Sequence, residues 1–301
     1  MTVRNDALPA RIIGSRRGGA IRFPLQRLLA SPAVLLSFGA IAVVVIAAIG
    51  AHVLAPYDPL AQNLDERLGP PLWAGGDAAH VLGTDQLGRD VLSRLMYGAR
   101  VSLVIGFMAV LVSGVLGIGI GIVSGFYGGL TDEVLMRLGD LRLALPFVLL
   151  VISVIAVFGP SLTNIVVVLG LTGWVAYARV VRAEVLSMRE REFIIAARAI
   201  GATNLRLMFR HILPNVVASG IVIGSLELAN VIVLEASLSF LGLGVQPPTP
   251  SWGNMLGEAR DYLISNFWLA TLPGIAISLT AISVNLVGDW LRDVLDPHLK
   301  M

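Results

Sequence analysis

Two carboxylates stand inside a long apolar stretch of this sequence, where a charged side chain is expensive. Glu227 and Glu235 interrupt the stretch over residues 211–257. A charge inside a membrane span costs about 3 kcal/mol or more, so such residues usually face a bundle interior, a cavity or a partner. On a helix the two glutamates lie about 80° apart, and Asn230 follows Glu227 by one turn. We interpret Glu227, Asn230 and Glu235 as lining a polar translocation path or gate; the alternative places Glu235 near an interface beside a basic residue.

Other catalytic and metal-binding chemistries find little support in the sequence. Cysteine is absent, which excludes thiolate nucleophiles, disulfides and cysteine-bound metals. A P-loop needs a lysine to reach the phosphates, and the only lysine is Lys300. No Gly-x-Ser-x-Gly elbow is present, and the histidines lack metal-ligand spacing. The histidines are His52, His80, His211 and His298. We therefore expect a chain that is not an enzyme, holds no metal and has no cofactor of its own.

The composition is typical of a membrane protein. Of the 301 residues, 56% are hydrophobic and 14% are charged, and the mean hydropathy is +0.81. An ordinary soluble domain carries about 25% charged residues. A nucleic-acid binder, a disordered chain and a solvated enzyme are therefore all disfavoured, and the lipid bilayer is the expected solvent.

Long stretches without Asp, Glu, Lys or Arg predict the membrane spans, because a helix needs about 20 apolar residues to cross the hydrocarbon core. The longest stretch is broken by Gly-Pro-Ser at residues 159–161, and it is expected to form a helical hairpin because proline lacks an amide donor. Gly117, Gly121 and Gly125 would let a neighbouring helix approach the second span closely. The predicted fold class is an all-α polytopic membrane protein with six transmembrane helices. These cover residues 33–55, 102–126, 141–158, 162–181, 216–241 and 266–288.

The basic residues predict the orientation of the chain in the plasma (inner) membrane. With six spans both termini lie on one side, and 17 of the 22 Lys and Arg fall on that side. The positive-inside rule then places both termini in the cytoplasm. The apolar stretch that begins at Leu28 is long enough to span, so it is interpreted as an uncleaved anchor rather than a signal peptide. On the opposite side, residues 86–100 are predicted to form a helix along the membrane interface or a solvated connector.

These features divide the chain into four regions. An Arg-rich cytoplasmic tail covers residues 1–32, and the first transmembrane helix with its external segment covers residues 33–100. A core of five helices covers residues 101–292 and includes a cytoplasmic loop over residues 183–215. A cytoplasmic C-terminal tail covers residues 293–301.

The cytoplasmic loop has the pattern of a docking element. It contains the string AARAIGATNLRLMFRHILPN over residues 196–215. Two alanines and Gly201 form a small-residue face, Gly201 can end a helix, and Thr203 or Asn204 can cap the next one. A bare helix-turn-helix of this kind fits a groove on another protein, although an ordinary helical hairpin has the same pattern.

The spacing Ala-Ala-x-x-x-Gly, then eleven residues, then Leu213-Pro214 resembles the EAA loop of permease subunits in binding-protein-dependent ATP-binding-cassette (ABC) importers. The position usually occupied by Glu is Ile195 here, which removes one polar contact with the ATPase from the expected interface. Three further strings resemble the C-type permease of dipeptide, oligopeptide and nickel importers. They are HVLGTDQLGRDVLSRLMYGARVSL at residues 80–103, EASLSFLGLGVQPPTPSWGNML at 235–256 and VGDWLRDVLDP at 287–297. The resemblance covers the chain from about residue 25.

The resemblance implies the type I ABC importer permease fold and a division of labour. Such a subunit pairs with a homologous B-type permease, docks one of two ABC ATPase subunits through its EAA loop, and receives a peptide substrate from an extracytoplasmic solute-binding protein. ATP and Mg would be held by the ATPases, membrane lipid would surround the spans, and no nucleic acid is expected. The alternatives are a nickel or other small-solute permease of the same family, and a proton-coupled secondary carrier that uses the two glutamates.

By position, the resemblance assigns two groups of residues. The ATPase-docking group consists of Ala196, Ala197, Arg198, Ala199, Ile200, Gly201, Ala202, Leu213 and Pro214. The external mouth that contacts the binding protein consists of Gly242, Gln246, Pro247, Pro248 and Trp252. A rigid turn that returns the chain to the sixth span fits the second group equally well.

Overall fold

The computed structural model describes residues 31–295, and within them the chain is helical and forms no strand. The helices are α1 Pro32–Ile49, α2 Ala51–Leu54, α3 Val91–Tyr127, α4 Gly129–Ala144, α5 Phe147–Phe158, α6 Leu162–Met188, α7 Glu192–Ala199, α8 Asn204–Phe240, α9 Trp252–Glu258 and α10 Trp268–Leu295. Short 3-10 turns cover Leu64–Glu66, Leu72–Ala74 and Arg260–Tyr262. Most of the predicted Arg-rich tail, and the predicted C-terminal tail beyond residue 295, lie outside the described residues.

Five helices are long and apolar enough to cross a membrane: α1, α3, α6, α8 and α10. A sixth span is present if α4 and α5, which meet at an angle of 88°, together form one. The predicted class of all-α multi-pass membrane protein is therefore confirmed.

The third predicted span differs from the structure in shape. Residues 141–158 were expected to form one helix, but α4 ends at Ala144 and α5 begins at Phe147, with Pro146 between them. Proline disfavours helical geometry at the residue before it, and Leu145 is extended. The twelve residues of α5 reach about 18 Å, less than the roughly 30 Å of the hydrocarbon core. Gly159, with a φ of +78°, then ends α5, and α6 begins after Ser161, as the predicted hairpin requires.

The second span begins earlier than predicted, at Val91 rather than at residue 102. Asp90 caps the helix, because its side chain accepts a hydrogen bond of 2.7 Å from the Ser93 amide. Residues 91–100 are therefore the first turns of α3 rather than a separate interfacial helix.

Close packing of α3 on α6 forms the centre of the bundle. A Cβ atom added at Gly117 would lie 2.4 Å from the Trp174 carbonyl oxygen. The same atom at Gly121 or Gly125 would lie 2.8 Å from the Cβ of a valine on α6. These glycines let the two backbones approach, which confirms the packing expected from their spacing.

The bundle has two ends, which we name by the segments that lie there. The 56–90 end carries residues 56–90, the start of α3 and all of α9. The 189–206 end carries α7 and its flanking turns, and Arg189 there donates a hydrogen bond of 3.2 Å to the Gly125 carbonyl near the end of α3.

Candidate functional site

The loop over residues 183–215 forms the predicted helix-turn-helix at the 189–206 end. Helix α7 ends at Ala199, and Gly201 has a φ of +88°, the left-handed conformation that glycine adopts without strain. Thr203 caps α8, because its Oγ1 accepts a hydrogen bond of 3.4 Å from the Arg206 amide. The local sequence therefore determines both the end of α7 and the start of α8.

One face of α7 is anchored to the bundle. Ile194 is fully buried, and it belongs to a cluster with Val185 of α6 and with Leu207 and Ile212 of α8. This anchor joins the short helix to the two long helices that flank it.

The opposite face of α7 is open. Ile200 is 88% exposed, and a Cβ atom added at Gly201 would meet no atom within 4 Å. The predicted docking residues Ala196, Arg198 and Ala199 are exposed, whereas Ala197 and Ala202 are half-buried. Further along α8, Pro214 is exposed and Leu213 is half-buried. Ile195 of α7 and Ile200, the residue directly after the helix, both expose apolar side chains, as is typical of an interaction surface.

The three predicted path residues occupy different environments. Glu227 is half-buried and Asn230 is exposed. Glu235 has no exposed surface, and its two carboxylate oxygens accept hydrogen bonds of 3.0 Å from Ser102 and 2.8 Å from Ser239. Glu235 is therefore enclosed by serine hydroxyls of α3 and α8, rather than lining an open surface or pairing with a basic neighbour.

The residues of the predicted external mouth also differ in exposure. Gly242, Gln246, Pro247 and Pro248 are exposed. Trp252 is 2% exposed and donates a hydrogen bond of 3.0 Å from its indole Nε1 to the Leu95 carbonyl. Its ring fixes the start of α9 on α3, so Trp252 is not available to a binding protein in this conformation.

A buried ion network, which the sequence did not reveal, ties residues 85–94 to α9. The Arg89 Nε atom donates to Asp85 Oδ2 at 2.7 Å, and its Nη2 atom donates to Glu258 Oε2 at 2.5 Å. Arg94 also binds both carboxylates. Burial alone would raise the pKa of Glu258, but Arg94, Arg89 and Gln86 hold it below its usual range. The local signal in the sequence is the alternation of these charged residues with apolar ones, which predicts an interfacial helix over residues 86–100 rather than buried ion pairs.

A histidine joins two further carboxylates at the same end. The His80 Nδ1 atom lies 2.9 Å from Asp90 Oδ1, and its Nε2 atom lies 3.0 Å from Glu66 Oε2. The ring stacks on Tyr57, with 4.6 Å between centroids. Burial lowers the pKa of His80, but hydrogen bonds to Asp90 and Glu66 more than offset this and raise it above its usual value. Both ring nitrogens can donate only in the protonated form.

Comparison with known proteins identifies the family. Residues 117–301 match the binding-protein-dependent transport system inner membrane component. This chain belongs to that family. Residues 24–71 of the inner membrane component also match the N-terminal transmembrane domain of oligopeptide transport permease C. The docking loop lies inside the first match, whereas residues 85–94 of the ion network lie between the two matches.

Several known proteins are similar to this chain over most of its length and most of their own. The chain is 47% identical over 258 residues to the di/tripeptide transport system permease protein DppC of Pseudomonas aeruginosa, with 85% of each chain covered. It is 47% identical to the dipeptide transport system permease protein DppC of Escherichia coli K12, covering 86% of this chain and 87% of that one. The glutathione transport system permease protein GsiD of Pectobacterium atrosepticum is 43% identical, with coverage of 83% and 82%.

Proposed function

We propose that this inner membrane component is the permease subunit of an ABC importer that moves di- and oligopeptides into the cell. The observation that carries the proposal is α7, a short helix anchored on one face by Ile194 and open on the other. The names of the relatives, which are permeases for dipeptides, di/tripeptides and glutathione, support peptide as the substrate class.

The subunit is non-catalytic in this proposal. It pairs with a homologous B-type permease, and two ABC ATPase subunits bind ATP and Mg. An extracytoplasmic solute-binding protein delivers the peptide. The distribution of Lys and Arg supports cytoplasmic termini, so the 189–206 end faces the ATPases and the 56–90 end faces the binding protein.

Coupling follows from how α7 is held. ATP binding closes the ATPases, and a docked α7 moves with them. Because Ile194 packs on Val185 and Leu207, that movement passes directly into α6 and α8. The bundle then shifts between inward-open and outward-open states, and the nucleotide biases the equilibrium between them.

The structure supports different roles for individual residues of the predicted path and of the predicted external mouth. Glu227 and Asn230 of α8 are accessible enough to line the path, whereas Glu235 holds α3 and α8 together through Ser102 and Ser239. The exposed residues Gly242, Gln246, Pro247 and Pro248 contact the binding protein, and the buried Trp252 fixes on α3 the start of α9, the helix that follows them.

The test is co-purification of the complex, followed by ATP hydrolysis and peptide uptake in proteoliposomes. Gly201→Asp places a charge on the open face of α7, and Asp is among the residues that tolerate a positive φ. We expect this variant to lose ATPase co-purification and uptake. Thr131→Asp adds the same charge to an exposed position of α4 and is expected to change neither. Normal co-purification and uptake by Gly201→Asp would refute docking through α7.

A further inference from the structure

Five buried side-chain N and O atoms have no hydrogen-bond partner in the described residues, and two of them belong to side chains whose charges or dipoles act with Glu227 of α8, namely Tyr177 and Arg142. We refer to Tyr177, Arg142 and Glu227 together as the cluster. The other three atoms are Arg94 Nε, Trp268 Nε1 and Trp290 Nε1. The Tyr177 side chain of α6 is 1% exposed, and its hydroxyl has no hydrogen-bond partner in the described residues. The Nε atom of Arg142 on α4 is likewise buried and unpartnered there. Buried polar groups are nearly always hydrogen-bonded, so two such exceptions that both act with Glu227 indicate that something else supplies the partner.

The geometry brings three helices together at this point. A Cβ atom added at Gly224 of α8 would lie 3.5 Å from the Tyr177 hydroxyl. Glu227 follows Gly224 by about one turn and therefore lies on nearly the same face of α8. A Cβ atom added at Gly114 of α3 would lie 3.5 Å from Tyr177 Cε1. Gly114 lies near the middle of the apolar part of α3, so the cluster is at mid-depth in the bundle.

Arg142 reaches the cluster from the bent α4–α5 pair. A Cβ atom added at Gly139, about one turn earlier on α4, would lie 3.4 Å from Val175 Cγ1 and 3.5 Å from the Trp174 ring of α6. Arg142 and Glu227 are close enough for their charges to act on one another. Among the described residues, however, neither makes an ion pair within 4.0 Å. A carboxylate and a guanidinium thus lie near each other without direct contact, beside an unpartnered hydroxyl.

We propose that this cluster binds the two charged termini of a short peptide as it crosses the membrane. Glu227 accepts hydrogen bonds from the terminal ammonium, and Arg142 donates to the terminal carboxylate, which Tyr177 also reaches with its hydroxyl. A zwitterion supplies both missing partners at once, whereas a cation or an anion alone supplies one. The proposal rests on the proposed function, since it names the groups of the peptide that the path recognises.

Binding of this kind explains how a zwitterion enters an apolar bundle. Each terminus would be costly to remove from water unless a charged partner replaced its hydration. Hydrogen bonds to charged groups are stronger than hydrogen bonds between neutral groups. The site therefore offsets desolvation at the depth where it is greatest, and it does so without regard to the side chains of the peptide.

The test uses the full importer in proteoliposomes with saturating binding protein. Uptake of dialanine, N-acetyl-dialanine and dialanine amide is measured for wild type, Glu227→Gln and Arg142→Gln. Glu133→Gln and Arg137→Gln are the controls, because this exposed pair lies on α4. We expect Arg142→Gln to lower dialanine uptake about tenfold and dialanine amide uptake much less. Glu227→Gln is expected to do the same for dialanine relative to N-acetyl-dialanine, and the controls to match wild type.

For each peptide, uptake by a variant is expressed relative to uptake by wild type. The preference of the binding protein for that peptide is the same in both measurements and cancels, so these ratios can be compared between peptides. ATP hydrolysis stimulated by loaded binding protein reports whether each variant complex is assembled. Tyr177→Phe, which keeps the ring, is the second variant and is expected to raise the KM for dialanine several-fold. If the binding protein delivers neither modified peptide, the test is dialanine uptake by variants that retain stimulated ATP hydrolysis. Reduced dialanine uptake by Glu227→Gln and Arg142→Gln then supports the inference, and unchanged uptake overturns it.

Two results overturn the inference while leaving the proposed function intact. One is unchanged dialanine uptake in Glu227→Gln and Arg142→Gln, and the other is an equal loss for all three peptides, which indicates a structural role. Failure of the wild-type importer to take up any peptide in an ATP-dependent manner refutes the proposed function instead.

Discussion

Replacing Asp85 by Asn removes the carboxylate at the centre of the buried ion network. The Asp85 side chain is 5% exposed and binds both Arg89 and Arg94. Its Oδ1 atom also accepts hydrogen bonds of 2.8 Å from the Leu87 amide and 3.0 Å from the Arg89 amide. Asn keeps the size of the side chain but removes the charge, and it can place an amide donor against a guanidinium. Glu258 alone then neutralises two buried arginines.

The expected loss of stability follows from the burial of the network. Removing one partner of a buried ion pair costs about 3–5 kcal/mol, because the other charge stays buried and unpaired. Glu258 is 20% exposed and still contacts both arginines, so the lower limit of about 3 kcal/mol applies. For a chain of this size, 1 kcal/mol corresponds to about 2 °C in Tm. We therefore expect Asp85→Asn to lower Tm by about 6 °C.

The assay is thermal unfolding of the purified complex, followed by tryptophan fluorescence. Asp77→Asn is the matched control, because Asp77 is exposed in the same segment and its Oδ1 accepts one hydrogen bond of 3.0 Å from the Ala79 amide. We expect the control to remain within about 1 °C of wild type, as most surface substitutions do. A Tm for Asp85→Asn that equals that of Asp77→Asn would show that the network contributes no net stability.

Three further substitutions test other contacts by the same unfolding assay. Because its two carboxylate partners raise the pKa of His80, protonation stabilises the fold; this stability is complete below about pH 6.5 and is lost as pH rises through the raised pKa. Wild type should therefore lose Tm over that range relative to His80→Gln, and parallel pH profiles would contradict the ion pairing. Gly117→Ala should cost about 1–3 kcal/mol by separating α3 from α6, whereas Gly119→Ala, which meets no atom within 4 Å, should cost nothing. Trp252→Phe should cost about 1 kcal/mol or more by removing the hydrogen bond to α3, and a change below about 0.5 kcal/mol would count against this anchor.

Local sequence was sufficient for features that a few neighbouring residues determine. The break at residues 159–161 depends on Gly and Pro, which restrict or free the backbone wherever they stand. The turn after α7 likewise depends on Gly201 and on the cap supplied by Thr203. These elements could be predicted because their causes lie within one helical turn of their effects.

The start of α3 could not be predicted in this way. A search for stretches without charge places the beginning of the span after Arg100, but Arg94 is buried in the helix. Its charge is neutralised by Asp85 and by Glu258, which lies 164 residues further along the chain. Hydropathy treats every charge as exposed, so it excludes a helical turn whose charges are paired by tertiary contacts.

Sequence patterns also could not distinguish the environments of the predicted path residues, because those environments depend on tertiary contacts. Sequence treats Glu227 and Glu235 alike, as two carboxylates in one apolar helix. The structure separates them, because Ser102 of α3 lies opposite Glu235 and supplies a hydrogen bond. No pattern within α8 predicts a partner 133 residues away.

Hydrogen bonding therefore separates the buried and half-buried charges of residues 31–295 into two kinds. At the 56–90 end, Arg89 binds both Asp85 and Glu258, and Glu235 is bound by serines, so these groups already have partners that hold helices together. Glu227 and Arg142 lie near each other without direct contact, beside the unpartnered hydroxyl of Tyr177. An unpaired polar group is costly in a bundle that is surrounded by lipid. A cost of this kind persists where a visiting ligand provides the missing contacts, which is why the unpartnered hydroxyl of Tyr177 and the nearby Arg142 and Glu227, rather than the ion pairs at the 56–90 end, indicate where a substrate binds.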